Sequence, residues 1–424
     1  MIGGELGSFN RVGDVMSANA LTTQCCVVGG GPAGMMVGYL LARAGIEVIV
    51  LEKHTDFLRD FRGDTIHPST MELMQELGLL DAFLRLPHRK VERLVGEIGK
   101  VRVTMAEFTR LSSACKFIAF MPQWDFLDFM ADRGRRYQSL RLMMKTEATD
   151  LIEQGGRIVG LRANAQAGAV EIRADLVIGA DGRHSTIRER AGLKVEDLGA
   201  PMDVLWMRLS RHADDYAEAF GHFEAGGIFI MVDRGDYWQC AYVIQKGSAD
   251  QVMKRDIEDF RRAILALSPW LGERVNELKS WDDVKLLTVA LDRLPQWYRP
   301  GLLCIGDAAH AMSPIGGVGI NLAIQDAVAA ANILADPLRA GAVTLDHLAQ
   351  VQKRREWPTR VTQAFQRTIQ NRVIGPVLAG NKQPKVPLAV KLLDWFPPLR
   401  GIPARFIGIG VQPEHIRTKE AARP

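Results

Sequence analysis

The stretch from Gln24 to Lys53 constrains the chain more than any other. An apolar run, Cys25-Cys26-Val27-Val28, stops at Gly29-Gly30-Gly31-Pro32-Ala33-Gly34, which has the G-x-G-x-x-G spacing. Met35 to Ala44 then reads as a helix ending at Gly45, and Val48-Ile49-Val50-Leu51 is a second buried strand closed by Glu52. Strand, glycine turn, helix, strand and acid in this order make one βαβ unit that binds a dinucleotide. Gly29 permits the tight turn, Gly31 lets backbone approach a pyrophosphate, and Gly34 lets helix and strand pack closely. The unpaired N–H groups of the helix start face the phosphates. Glu52, eighteen positions after Gly34, is placed to accept hydrogen bonds from ribose hydroxyls. The spacing does not separate FAD from NAD.

A chain of 424 residues holds two or three domains and buries a large core. The net charge of +4 does not point to nucleic acid, and no basic tract interleaved with aromatics is present. The cysteines at 25, 26, 115, 240 and 304 are odd in number and lack metal-ligand spacing. They read as buried thiols of a reducing cytoplasm, with no metal site. No window of 18 or more uncharged apolar residues exists, so no transmembrane segment is expected. Residues 1–20 read as a loose extension rather than a secretory signal, with Met16 as an alternative start.

Further along, Phe61-Arg62-Gly63-Asp64 precedes a helix from about Ser69 to Leu77. Its Arg-Gly-Asp triplet is better read as placing Arg62 near bound phosphates or a flavin edge than as an adhesion signal. Alternating pieces between 91 and 121 suggest strands of a second sheet, and Gln123 opens a helical stretch from Phe126 to Tyr137. Strands follow from Asp150 to Leu161 and from Val170 to Ile178, running into Gly179-Ala180-Asp181-Gly182 and a helix start at Ser185. Residues 203–247 are strand-rich and aromatic, and Phe229, Trp238 and Tyr242 are candidates to line a substrate cavity. Residues 251–278 read as helix interrupted at Pro269. Leu302 to Ile305 is a buried strand ending at Gly306-Asp307, and Pro314 to Asn321 opens a small-residue helix, Leu322 to Leu334. That helix start is a second cradle for electron-rich groups, and Asp307 suits a sugar or ribitol hydroxyl. The proline- and aromatic-rich tail from Val386 is expected to pack over the cofactor domain, with a membrane surface or a partner as the alternatives.

With three such stretches in this order, the chain resembles the class A flavoprotein monooxygenases, the family of p-hydroxybenzoate hydroxylase, phenol hydroxylase and the FAD hydroxylases of ubiquinone and aromatic polyketide biosynthesis. The motifs are Gly29 to Gly34 with Glu52, Asp181-Gly182 with Ser185 and Arg188, and Gly306-Asp307 through Asn321; they bracket about three quarters of the 424 residues. The resemblance implies an α/β fold: a Rossmann-like FAD-binding domain of the p-hydroxybenzoate hydroxylase and glutathione reductase type, with an inserted mixed β-sheet substrate domain and C-terminal helices. The expected division assigns residues 21–90, 122–196 and 284–380 to the FAD domain, 91–121 and 197–283 to the substrate domain, and 381–424 to a tail. By position, Gly29, Gly31, Pro32, Ala33 and Gly34 would cradle the pyrophosphate and Glu52, with Lys53 beside it, the adenosine ribose. Arg62 and Gln123 resemble the FAD-contacting arginine and glutamine. Asp181 and Gly182 stand at the junction of FAD and NAD(P)H, Gly306 and Asp307 at the ribitol, and Gly317, Gly319, Ile320 and Asn321 at the flavin pyrimidine ring. Pro314 lies in the flavin-facing loop, and His310 reads as structural.

The implied activity is hydroxylation of an aromatic, quinone-like or polyketide molecule with NAD(P)H and O2 through a flavin hydroperoxide. No protein catalytic group is assigned, because the chemistry belongs to the cofactor. The region near Trp238-Gln239-Cys240 offers no arginine for a simple benzoate, and the Trp-x-Trp-x-Ile-Pro signature of flavin halogenases is missing. Two rivals remain: a flavin reductase of the geranylgeranyl reductase type, separable by oxygen uptake, and a non-catalytic protein of the same fold, separable by its lack of colour with FAD. Substrate identity, NADH against NADPH, and oligomeric state are left open by the sequence.

Overall fold

A computed structural model of the chain describes residues 20–58, 65–215, 220–380 and 384–422. Arg62, its Arg-Gly-Asp triplet and nearly all of the N-terminal extension lie outside these described residues.

The β-branched and thiol side chains of Ala20–Val28 and Val48–Leu51 suit strands covered on both faces, and the two pair in parallel at the centre of a sheet. Gly168–Gly179 pairs in parallel on the other side of Ala20–Val28, with Leu302–Cys304 beyond it, while Leu140–Met143 flanks Val48–Leu51. Among the described residues this sheet has eight strands, the hairpin of Glu147–Gln154 and Arg157–Ala165 and the short strand Tyr298–Arg299 being its antiparallel additions. Helices Pro32–Arg43, Gln123–Gly134 and Gly319–Arg339 bury their apolar faces in one core on this sheet. Each fully buried aliphatic side chain there contributes roughly 1.5–3 kcal/mol. The helical stretch Ile315–Arg339 is long and apolar enough by composition to span a bilayer, yet 67% of its most apolar window is buried in protein, which makes it a core helix. All five cysteines are buried and unbridged.

A second sheet has the order Lys285–Leu287, Met202–Ser210, Tyr237–Gln245, Gly227–Asp233, Phe220–Glu224, Arg93–Ile98, Val101–Glu107. Every neighbouring pair is antiparallel except Phe220–Glu224 with Arg93–Ile98. The expected boundaries shift in two places. Lys285–Leu287 pairs with Met202–Ser210, so the second sheet extends past 283, and Ile118–Phe120 leaves it to pair with Thr65–Ile66 and Arg89–Val91 in a small third sheet.

The second sheet is covered on both faces. Leu205, Met207, Phe229, Met231, Trp238 and Cys240 pack against helix Ile257–Leu267 and the turns after it. Val204, Ile228, Ala241 and Val243 pack instead against Ile374, Val377 and Leu378, with Ile315 of the glycine loop beside them. This corrects the pocket expected from the sequence. Phe229 and Trp238 are wholly buried in the first of these cores, and Tyr242 meets Phe260 edge to face at 5.2 Å. Strand side chains alternate faces, and these three alternate toward the helix.

The tail divides. Helices Leu388–Trp395 and Gly401–Gly408 rest beside the edge strand Val101–Glu107 of the second sheet. Residues 411–422 strap across the first domain: Arg43 donates to the Thr418 carbonyl at 2.8 Å, Asn332 to His415 O at 2.8 Å, and the Ile416 amide to Glu76 at 2.7 Å. Helix Gly401–Gly408 is tied to the first domain through His67, whose ring Nδ1 lies 2.8 Å from Ile407 O. Burial lowers the His67 imidazole to about 4, against a weaker opposite pull from that carbonyl. The neutral ring therefore contributes stability fully above the unfolded value near 6.5 and loses it as pH falls toward 4, because only the unfolded chain takes up the proton in that window. His67→Gln should flatten the fall in urea-unfolding stability between pH 6.5 and 4.5 by about 2–3 kcal/mol relative to the parent chain.

Candidate functional site

The site is built where four strands of the first sheet end, Ala20–Val28, Val48–Leu51, Gly168–Gly179 and Leu302–Cys304. Gly29 has φ 102°, and a side chain on it would come within 2.4 Å of the Ala180 carbonyl oxygen. A side chain on Gly34 would lie 1.9 Å from Gly29 O, whereas one on Gly31 would meet nothing within 4 Å. The turn is thus closed on its inner side and open where Gly31 faces out. The first intrahelical bond is Met35 N to Gly31 O at 2.8 Å, leaving the amides of Ala33 and Gly34 without a helical acceptor. Pro32, at the first helical position, has no N–H to leave unpaired. Glu52, at the end of the next strand, is 9% exposed and accepts from Gly30 N at 3.1 Å and His54 N at 3.0 Å.

The second motif abuts the first through Ala180 and Asp181, which pack on Gly29. Both Asp181 oxygens are used inside its own turn, one accepting from Ser185 Oγ at 2.5 Å and the other from Ile187 N at 3.1 Å. Burial pushes the Asp181 carboxyl up, opposed by these same hydrogen bonds. Ser185 caps helix Thr186–Arg190 by accepting from Arg188 N at 2.9 Å. Arg188 in turn donates to Arg183 O at 2.6 Å and Ala308 O at 3.3 Å. The second motif therefore positions the third. Gly182, at φ 84°, has open space on its side-chain face.

The third motif closes the ring. A side chain on Gly306 would meet Ala323 Cβ at 3.1 Å and Ala33 Cβ at 3.2 Å, so the two glycine-lined helix starts touch across this one residue. Beside it Asp307 is one-third exposed and lies 3.6 Å from Arg183 Nη2. The first bond of helix Gly319–Arg339 is Leu322 N to Val318 O at 3.0 Å, which leaves the amides of Gly319, Ile320 and Asn321 without a helical acceptor. Pro314, which precedes the turn Ile315–Gly317, is exposed. The Asn321 side chain is committed to structure. It accepts from His67 N at 2.9 Å and Thr70 Oγ1 at 2.7 Å and donates to Thr65 O at 3.2 Å.

Other predicted residues stand further off. Lys53 pairs at 3.8 Å with Glu147 on the sheet surface. Gln123, partly buried, starts the helix that packs on Pro32–Arg43. Of the buried cluster beneath Gly306, sequence reading gave His310 as structural but missed Asp326 and Arg355: Asp326 accepts from Gly306 N at 3.1 Å and from Arg355 Nε at 3.0 Å, with His310 Nε2 2.6 Å away. Burial alone would raise the Asp326 carboxyl, but His310 and Arg355 hold it below the usual carboxylate range. It also missed Gln363 and Gln366, which bind the Asp292, Ser313 and Ile315 carbonyls. The signal for both was a polar stripe, Gln352, Arg355, Gln363 and Gln366, on the buried face of helix Leu345–Ile369.

Two adjoining helix starts with free amides, an open pyrophosphate turn and an accessible carboxylate fit FAD. Asp307→Ala should fold yet raise the FAD dissociation constant by a factor corresponding to roughly 1.5–3 kcal/mol, read by cofactor retention on desalting. Gly31→Ala should likewise fold and lose FAD. In Gly34→Ala the new methyl meets backbone, and folding itself should fail in thermal melts.

A family model described as an FAD binding domain matches residues 22–365. The chain is 32% identical over 409 residues to 6-methylpretetramide 4-monooxygenase of Streptomyces rimosus, covering 95% of this chain and 96% of that protein. In fold it is similar to pqsL, a probable FAD-dependent monooxygenase from Pseudomonas aeruginosa, with TM-score 0.73 and 21% identity over 85% of this chain and 99% of that one. It is also similar to OxyS anhydrotetracycline hydroxylase from Streptomyces rimosus, with TM-score 0.72 and 20% identity over 92% of this chain and 76% of that one. The sequence match spans all three motifs that meet around Gly306, and on that ground the chain belongs to the class A FAD-dependent aromatic monooxygenases.

Proposed function

We infer that the chain hydroxylates a flat, fused-ring aromatic molecule of polyketide type with NAD(P)H and O2. The observation that carries the substrate class is a row across the second sheet, on the face turned toward Ile315. Trp206, Ala241, Ile230, Gly221 and Gly96 stand side by side on five neighbouring strands. On this face the Phe223 ring lies over Gly221 and Gly96, 3.1 and 3.5 Å from where their side chains would stand, and with Trp206 and Ile230 it makes the row apolar and aromatic. A fused-ring system stacks on such a surface, whereas a small benzoate would leave most of it uncovered. The identity to 6-methylpretetramide 4-monooxygenase over nearly the whole chain supports the same class. The strand Tyr237–Gln245 carries no arginine, but the turn before it does: Arg234 Nε donates to Gln239 Oε1 at 3.0 Å.

When bound, FAD supplies the redox chemistry, taking a hydride from NAD(P)H and activating O2. The protein binds, orients and keeps water out. The Ala33 and Gly34 amides would hold the pyrophosphate and Glu52 the adenosine ribose, with Asp307 to take the ribitol. The Gly319, Ile320 and Asn321 amides, at the positive end of a 21-residue helix, would stabilise the electron-rich edge of the flavin ring. Asp181, through Ser185 and Arg188, sets the height of the Asp307 loop. The five buried thiols suit a reducing cytoplasm as the place of work.

The test is oxygen uptake by the FAD-loaded enzyme with NAD(P)H, screened against fused-ring polyketides, quinone precursors and simple phenols. Uptake stimulated by the fused-ring compounds, with a product heavier by one oxygen, is expected; reduction of a double bond without uptake would sink the reading. Trp206→Ala, which removes a half-buried ring from this row, should raise KM for that substrate at least about tenfold with FAD retained, since the surface for stacking is lost. Phe229→Ala should instead cost about 3–5 kcal/mol of stability, as a cavity in a core away from the substrate.

A further inference from the structure

The helix Leu388–Trp395 is turned inside out. Leu388, Leu392, Trp395 and Phe396 recur at the spacing of one helix face, the stripe that a helix of a globular protein normally buries. Here that stripe faces solvent: Leu388 is 66% and Trp395 65% exposed, and no residue of the helix is buried. The apolar surface continues through Leu399 to Ile402, itself 67% exposed, and onto the exposed Val101 of the adjoining edge strand. The platform is anchored rather than loose. Ala404 and Ile409 sit in a core with Phe108 and Leu111, Phe406 packs on Phe365 at 4.6 Å between ring centres, and Arg400 ties back to Asp394 at 3.1 Å.

The rim of this surface is basic. Residues 384–408 carry Lys385, Lys391, Arg400 and Arg405 against a single carboxylate, Asp394, which Arg400 already occupies. Lys385, Lys391 and Arg405 are exposed, and among the described residues no carboxylate lies within ion-pair distance of them. Arg102 is exposed on the same edge strand.

We propose that this face, from Lys385 to Arg405, lies on an anionic lipid bilayer. Apolar side chains with a tryptophan and a phenylalanine enter the headgroup–acyl boundary, while the lysines and arginines reach the phosphates with their stems along the apolar surface. Charge decides against a second copy of the chain as the occupant. A two-fold interface sets the same patch on itself and would oppose unpaired cations with cations, whereas anionic headgroups neutralise them. The face adjoins the edge of the substrate domain, so docking would bring that domain against a lipid phase.

The test uses the full FAD-loaded chain, sedimented with phosphatidylcholine vesicles with and without phosphatidylglycerol. Binding to the anionic vesicles, release in high salt, and a loss of at least about tenfold in Leu392→Asp and in Lys391→Glu/Arg405→Glu are expected, with FAD content and circular dichroism unchanged. Failure to bind anionic vesicles, or binding that these variants leave intact, overturns the proposal. So does a dimer in light scattering that Leu392→Asp splits while vesicles leave it alone, which would give the face to a second copy. Vesicle binding is read without turnover, so its failure is distinct from failure of the hydroxylase reading.

Discussion

Everything in the site depends on the absence of a side chain at Gly306. Its α-carbon lies where the start of Pro32–Arg43 and the start of Gly319–Arg339 come together, and a methyl group there would need Ala33 and Ala323 to give by a few tenths of an ångström, at a φ of 60° that favours glycine. Each helix start presents amides with no helical acceptor, and their combined pull on electron-rich groups falls off within about one turn. Two such ends reach one extended cofactor only if they adjoin. The Asp326 carboxylate keeps the contact in register by accepting from Gly306 N while Arg355 and His310 hold it from behind. A buried charge with all its partners is tolerated, but removing one partner typically costs 3–5 kcal/mol, so this cluster fixes one geometry and penalises others.

The same cluster joins elements far apart in the chain. Arg355 also donates to Gln412 O at 2.9 Å and to Glu414, so the strap that crosses the first domain begins at the back of the cofactor loop. From the other side Arg188 reaches Ala308, and Thr65 Oγ1 holds Gly317 O at 2.9 Å. The loop that would carry the flavin ring is thus held by four segments before any ligand arrives. Such preorganisation keeps the ordering cost out of the binding step. The Asp181 carboxylate belongs to the same preset frame, accepting from Ser185 Oγ and Ile187 N in its own turn.

The second sheet shows where sequence reading fails and why. Its strands were legible from 203 to 247, since alternation and aromatic content mark them, but the alternation states only that two faces exist. Both faces here are covered, one by helix Ile257–Leu267 and one by the segment around Ile374 to Leu378. Phe229, Trp238 and Tyr242 are large and aromatic and drew the pocket assignment. Register put them on the face covered by the helix, while the half-buried Trp206 and Ile230 came to stand on the opposite face, beside Ile315. Nor could the tail be divided in advance. Its apolar residues have the same composition whether they turn inward, as Ala404 does, or outward, as Leu388 and Trp395 do.

The sequence by itself determined the local units, because turn, cap and strand are set by residues within a few positions of one another. Gly29 to Gly34 had to turn tightly onto a helix, Ser185 had to cap, and Val48 to Leu51 had to be buried on both sides. It also determined the family, since three such units in fixed order are a long pattern. Only the tertiary structure decided which units touch, what covers each face of the second sheet, that the Asn321 side chain and the Asp181 carboxylate bond to neighbouring turns, and that a charged cluster of Asp326, His310 and Arg355 lies under the loop. Those outcomes rest on contacts between residues tens to hundreds of positions apart. Their free energy depends on burial and charge pairing in three dimensions, which no local spacing records.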